Sequence, residues 1–418
     1  MFGEMLLDHE SRSKKPRTLK SFTVYIWCWQ RLSAEVCRLS TTFRRRQYSR
    51  HFVIAVLFTI MLYHLLLSTI SYTRRLRKIP PTSITSHFLF QGMHGNVDES
   101  LNFTKQIWLF NNSDAERIYL YANLLQKHHW KASPQHLDNF RRELNAETNV
   151  STDRDLILTQ TNVQLDQEMP CYYVTKRFWK QTNFVATKDF MSTLPKESPL
   201  KGKRYEKCAI IGNSGSLQKS TCGSQIDGMD FVFRCNGAPL EAFISDAGKR
   251  TDFLSFNPSI LFKRFGGLVN ESMVESYISF MNQYDSMVWY PCFGSRQLVE
   301  PCLKAISYRD RIDSQLVIAN PSHYVSIWEF WKRRGLRKKP STGLYLINLA
   351  ATMCNEIHLY GFWPFPIQLR EARVQETAYH YFNNLPFTSH HSSDGEFRIL
   401  LQMHMLGTVN LHTGTCKQ

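Results

Sequence analysis

Metal-ligand spacing is the first thing this chain lacks. None of its ten cysteines stands in a Cys-x2-Cys pair, so no zinc ribbon or zinc finger can be built from them. No internal repeat or low-complexity tract occurs, which excludes a solenoid. Acid is short: 35 Asp and Glu stand against 51 Lys and Arg, a net charge of +16. A nucleic-acid binder would carry that excess on its folded part. Here residues 1–78 hold fifteen Lys or Arg and four acids (Glu4, Asp8, Glu10, Glu35), which is +11 and leaves +5 for the rest. No nucleic-acid partner is expected.

The excess flanks Phe52–Ile70, nineteen residues without Lys, Arg, Asp or Glu. At about 1.5 Å per residue such a helix spans roughly 28 Å, enough for a thin bilayer. A removed signal peptide fits poorly, because the run begins late and has no small-x-small pattern before Arg74. Eleven Lys or Arg precede the span, among them Arg44-Arg45-Arg46, and four follow closely, so the positive-inside rule puts the N-terminus in the cytosol. The expected organisation is a cytosolic tail (1–51), a type II transmembrane signal anchor (52–70), a lumenal stem (71–165) without sustained periodicity, and a catalytic domain (166–418). The sequons at Asn102, Asn111, Asn149 and Asn270 suit a lumenal location. Cys28 and Cys37 lie in the tail, where palmitoylation is one reading and reduced thiols are the plainer one.

From residue 166 onward, apolar runs alternate with longer mixed segments, the pattern of an α/β domain. Cys208–Ile211 is too short for a helix and ends in Gly212, so it reads as a buried strand entering a turn, Gly212-Asn213-Ser214-Gly215. Phe231–Cys235 reads as the next strand. Asn213 and Asn236 would then stand at the carboxyl ends of adjacent strands, where open α/β sheets bind ligands. Ser341-Thr342-Gly343 precede a helix with Leu344, Ile347, Ala351 and Cys354 on one face, a place for a Ser N-cap and for a phosphate. A second amphipathic helix carries Phe397, Leu400, Leu401 and Met405.

Cys208 with the glycine turn, Cys222-Gly223, Asp230–Phe233 and Arg234-Cys235-Asn236 together resemble the long sialyl motif of the animal sialyltransferases. Pro340–Gly343 through Cys354 to Tyr360–Phe365 resembles their short motif, and His380-Tyr381 and His391-x4-Glu396 the two small motifs that follow. Arg234-Cys235-Asn236, Asn257-Pro258-Ser259, Gly361–Phe365 and the terminal Thr413-Gly414-Thr415-Cys416 are similar to the alpha-2,8 branch. The likeness covers about the last half of the chain.

The resemblance implies a single Rossmann-like catalytic domain, a variant of the GT-A type with a central, mostly parallel sheet. It implies transfer of sialic acid from CMP-sialic acid to a sialylated glycoprotein or glycolipid at the Golgi membrane, without metal or other cofactor, and it leaves a homodimer open. It makes His391 the general base, with His390 as the rival register, since Ser393-Asp394 stands where the family has Met-Pro. It gives His380 a hydrogen bond to the CMP phosphate or the role of acid to the leaving group, though Asn383 replaces the family's acidic residue. Asn213, Ser214, Asn236, Ser341, Thr342, Gly343 and Trp363 become donor-binding residues, with core packing the other reading of Trp363. Glu396 is read as favouring its helix dipole and orienting the loop before it. The resemblance also implies the pairings Cys208 with Cys354 and Cys222 with Cys416. Cys235 reads as an inert core thiol, while Cys292 and Cys302 stand close enough for a local bridge. The only Asp-x-Asp noted, Asp153-Arg154-Asp155, falls in the expected stem. Two basic stretches, 176–207 and 304–339, hold nine Lys or Arg each and read as solvated helix faces or as a track for a polyanionic acceptor.

Overall fold

The computed structural model describes residues 114–148, 150–169, 171, 184–370, 373–383, 385 and 393–416. The span 52–70, Cys28, Cys37, His390, His391 and the sequons at Asn102, Asn111 and Asn149 lie outside the described residues. Among the described residues no helix is long and apolar enough to cross a membrane.

Seven short strands, β1 (Tyr205–Ile211), β2 (Phe231–Cys235), β3 (Phe253–Ser255), β4 (Met287–Tyr290), β5 (Gln315–Ile318), β6 (Cys354–Tyr360) and β7 (Asn410–His412), form one sheet. The order is β7-β6-β1-β2-β3-β4-β5, and every pairing is parallel. Parallel strands are covered on both faces, which is why β2 is apolar almost throughout and buried at all five positions. The side-chain period of two sorts each strand between two layers. Cys208, Ile210, Phe231, Phe233, Phe253, Trp289 and Leu359 enter one core, while Ala209, Ile211, Val232, Leu254, Val288 and Tyr290 face the other side.

Six helices matter below: α1 (Asp114–Lys127), α2 (Pro134–Thr148), α3 (Glu271–Met281), α4 (Pro321–Arg333), α5 (Thr342–Met353) and α6 (Ser393–Met405). The first core takes its helical cover from α1, α2, α4, α5 and α6, and α3 lies in the second. The packed unit therefore starts well before the boundary expected at residue 166. Leu137, Phe140, Leu144 and Thr148 make a buried stripe on α2, and Ile118, Tyr121, Ala122 and Leu124 do the same on α1. Leu156 and Ile157 are fully buried, and the Leu158 amide bonds the Ile318 carbonyl at 2.8 Å, extending the β5 edge. A stripe of this kind has low contrast in a polar segment. It becomes decisive only beside a sheet that supplies the missing apolar partner.

Three disulfides cross-link the domain: Cys208–Cys354 and Cys222–Cys416, 146 and 194 residues apart, and Cys292–Cys302, only 10 apart. The first joins β1 to β6. Cys354 begins β6 rather than lying on the face of α5 as the helical spacing suggested.

Candidate active site

The chain reverses its winding at β1: β2 to β5 follow on one side, and β6 then lands on the other. Crevices for ligands open at such a switch point, beyond the carboxyl ends of the strands. There the Gly212 amide donates to the Tyr360 carbonyl at 2.7 Å and the Ser214 amide to the Gly361 carbonyl at 3.1 Å. The two backbones touch. A Cβ on Gly212 would lie 2.3 Å from the Gly361 oxygen, and Gly361 itself has φ +72°, so only glycine serves at either place.

Side chains lock the turn. Asn213 Nδ2 donates to the Cys235 carbonyl at 3.1 Å, bridging the ends of β1 and β2, and Ser214 Oγ donates to the Trp363 carbonyl at 2.6 Å. Arg370, buried, donates to the carbonyls of Gln218 at 2.7 Å and Ser216 at 2.9 Å. Sequence reading did not single out Arg370, and no local signal marks it, because its partners lie some 150 residues away.

A cavity of about 230 Å³ opens over this junction. Asn213, Ser214, Asn236, Ser341, Thr342, Gly343, Trp363 and His380 all line it, together with Cys235, Phe362 and Tyr379 and with Glu396, Phe397 and Leu400 of α6. Six separate stretches of chain thus converge. Ser341 is the N-cap of α5, its Oγ accepting from the Leu344 amide at 3.1 Å. By helix geometry the amides of Thr342 and Gly343 then have no acceptor within the helix, so this wall offers donors to an anion. Gly343 is required for packing, since a Cβ there would sit 2.5 Å from the Phe362 ring.

Glu396 does more than favour a dipole. Its carboxylate is 7% exposed, and Oε1 accepts the Ser341 amide at 2.9 Å, tying α6 to the cap of α5. Burial pushes its pKa up to about 7, with the Ser341 hydrogen bonds pulling the other way. His391 precedes the start of α6 by two residues and lies outside the described residues. His380 is half-buried, with Nδ1 3.1 Å from Asn383 Oδ1. The amide oxygen only accepts, so Nδ1 carries the proton and Nε2 is the free acceptor in the neutral ring. Burial lowers the imidazole's pKa, partly offset by Asn383.

Trp363 stands between the cavity and the first core. It lines the cavity, yet is 2% exposed, stands edge-on to Phe365 and Phe397 at 5.1 Å from each, and donates Nε1–H to the Ile367 carbonyl at 2.7 Å. Cys235 is a buried free thiol pushed by burial up to about 12, which leaves it inert although it lines the cavity. Asn236 has φ +60°, and its buried Oδ1 has no hydrogen-bond partner among the described residues. Among the described residues no group of three or more His, Cys, Asp or Glu is placed to hold a metal ion.

Of the basic stretches, much of 304–339 is engaged within the domain. Arg334 pairs with Glu143 and Glu147 of α2, Arg333 with Glu147, Arg311 with Glu271 and Glu275 of α3, and Lys332 with Glu329. Exposed Asn270 caps α3, its Oδ1 accepting from the Met273 amide at 3.0 Å.

An alpha-N-acetylneuraminide alpha-2,8-sialyltransferase of Bos taurus is 36% identical over 234 residues, covering 54% of this chain and 63% of that protein, less than two thirds of its length. Two crystal structures of a mammalian sialyltransferase, one in complex with Gal-beta-1-3GalNAc-ortho-nitrophenol, match at 21% and 22% identity over 73% of this chain and 88% and 87% of theirs, with a TM-score of 0.37 in each case. The model of glycosyltransferase family 29 matches residues 157–408, more than half of the sequence, and the chain therefore belongs to that family, the sialyltransferases.

Proposed function

We propose that this protein is an alpha-2,8-sialyltransferase that moves sialic acid from CMP-sialic acid to the 8-hydroxyl of a terminal sialic acid on a glycoprotein or glycolipid glycan. The observation that carries this reading is the convergence of eight donor-site candidates, drawn from segments up to 167 residues apart, on one cavity at the sheet's switch point. The related bovine protein's name supports the linkage.

In this reading the acceptor oxygen attacks the anomeric carbon of the donor while the bond from that carbon to the phosphate oxygen breaks, with inversion. The acceptor's proton passes to His391, an imidazole able to be unprotonated at neutral pH. The bonding pair leaves with cytidine monophosphate. Its phosphate meets the first-turn amides of α5 and the helix dipole, and His380, in its imidazolium form, donates a hydrogen bond or proton to it from Nε2. Asn236 Oδ1, buried and awaiting a donor, suits an N–H or O–H of the nucleotide. Below about pH 7 the Glu396 carboxyl is protonated and adds no negative charge beside the phosphate.

The chemistry requires no divalent cation, because helix amides and imidazoles meet the phosphate charge. We further propose that the domain is lumenal in the Golgi, held by the 52–70 span as a type II anchor, with Asn270 glycosylated. Ion pairing of Arg311, Lys332, Arg333 and Arg334 weighs against a continuous track for a polyanionic acceptor.

The test is incubation of the full chain with labelled CMP-sialic acid and a short sialylated acceptor, with and without EDTA, and mass spectrometry of the products. His391→Ala should cut turnover by about 10²–10⁴-fold while cytidine monophosphate still binds. Turnover retained in that variant would move the base to His390 or elsewhere. No transfer to any acceptor by the wild type would reduce the chain to a sialoglycan-binding protein.

A further inference from the structure

A second cavity, of about 250 Å³, lies on the other side of Trp363, between α1, α6 and the edge strand β7. Its chemistry differs from that of the crevice. His128, Trp130, Trp363, Gln368, His404 and His412 line it together with Gln126, Asn410 and Thr413, and among the described residues no Lys, Arg, Asp or Glu does.

The imidazoles have assignable protons. His404 Nδ1 accepts the Leu411 amide at 3.0 Å, so in the neutral ring the proton is on Nε2, a buried atom with no partner among the described residues. His358 Nε2 donates to Glu356 Oε1 at 2.7 Å. Its Nδ1 must then accept from His412 Nε2 at 2.9 Å, which leaves Nδ1 as the acceptor of His412. Burial holds His404 down at about 4, and burial with the neighbouring His358 and His404 holds His412 down at about 3. The rings are therefore neutral in ordinary buffers.

Two more buried polar atoms lack partners among the described residues: Gln368 Oε1, on a side chain 7% exposed, and Trp130 Nε1. His404, 3% exposed, is the most deeply buried of the three. A buried donor or acceptor left unmatched costs on the scale of a lost hydrogen bond, so a cavity whose lining residues carry two spare donors and a spare acceptor calls for a guest bearing both kinds of group. An ion would enter without a counter-charge and pay the full desolvation penalty. Indole walls offer flat apolar faces to C–H surfaces. The volume is just under the roughly 300–1,000 Å³ usual for ligand sites, which admits one ring and no oligosaccharide.

We propose that this cavity is a second ligand site, separate from the switch-point crevice, which takes a single neutral hydroxyl-bearing ring, a monosaccharide. Trp363 is common to both cavities, so occupancy of one bears on the wall of the other. This inference does not depend on the transferase reading, because it concerns binding alone.

Saturation-transfer NMR with D-galactose on the full chain tests it, with galacturonate and galactosamine as charged comparators and cytidine monophosphate as the reporter for the crevice. Gln368→Leu removes the spare acceptor at nearly equal volume. Gly414→Trp plugs the mouth, where a Cβ meets nothing within 4 Å. Galactose affinity should fall at least about tenfold in both variants, with cytidine monophosphate affinity and melting temperature unchanged, and the charged sugars should bind more weakly than galactose. Absence of saturation transfer from millimolar galactose overturns the proposal. So does a signal untouched by both substitutions, a stronger signal from either charged sugar, or a sugar-soaked crystal in which the cavity holds ordered water only.

Discussion

The two halves of the sheet are held together by different means. On the β3–β4–β5 side an aromatic and aliphatic core does the work: Phe256, Tyr277, Phe280 and Tyr290 sit ring against ring, and the disulfide Cys292–Cys302 closes a local loop. On the β1–β6 side the strands end in glycines, polar turns and a cavity, and two disulfides reach across 146 and 194 residues. A binding crevice leaves side chains unpacked and exposes backbone ends, so the cohesion that burial cannot provide there comes from covalent ties and from backbone contact at Gly212 and Gly361.

That contrast can be broken most forcefully at the cysteines. In the chain-entropy account, losing Cys208–Cys354 costs about 5 kcal/mol and losing Cys292–Cys302 about 3 kcal/mol. Cys354→Ser should therefore block secretion of folded protein, whereas Cys302→Ser lowers the melting temperature but still yields protein. Equal yields from the two variants would erase the distinction between the halves.

A pH experiment follows at Glu396. Its folded pKa, about 7, is above the ordinary 4.5, so the stabilisation is complete below pH 4.5 and is lost as pH rises through 7. Denaturant titrations should show wild type losing about 3 kcal/mol over that window relative to Glu396→Gln, which has no proton to release. His323, His404 and His412, all lowered by burial, act in the opposite sense below pH 6.5 and are common to both proteins. Parallel pH profiles for wild type and variant would contradict the buried carboxyl.

Gly212→Ala forces a methyl against the Gly361 carbonyl, and overpacking of this kind costs about 1–3 kcal/mol. The strain falls on the cavity floor, so cytidine monophosphate affinity should drop with stability. Tyr277→Phe marks the small end of the scale. It removes a buried 2.7 Å hydrogen bond to the Tyr290 hydroxyl, worth about 1 kcal/mol, in the half that has no part in the crevice. Nucleotide binding should be unaffected there, and a change would show that the halves are coupled.

Strands β1 and β2, the cap of α5 and the apolar face of α6 were all legible as local signals, since an apolar run against a glycine, or Ser before an apolar helix, states its conformation within a few residues. The candidate donor site was legible through motif order. The tie between Glu396 and Ser341 was not, because a glutamate at the start of a helix is fully explained by the dipole, and nothing nearby says that it is buried. The same holds for α1 and α2, whose stripes were too faint to separate from a stem.

The sequence by itself determined the family, the strand and helix segments around the glycine turn, and where charge is concentrated. The family is carried by motif resemblance, and the segments and the charge distribution by periodicity, propensity and composition along the chain. Only the tertiary structure decided how far the domain extends toward the N-terminus, which carboxyl is buried, the Cys292–Cys302 bridge, and the gathering of imidazoles behind Trp363. Those depend on pairs of residues from ten to more than a hundred positions apart, and such contacts are set by how sheet and helices stack.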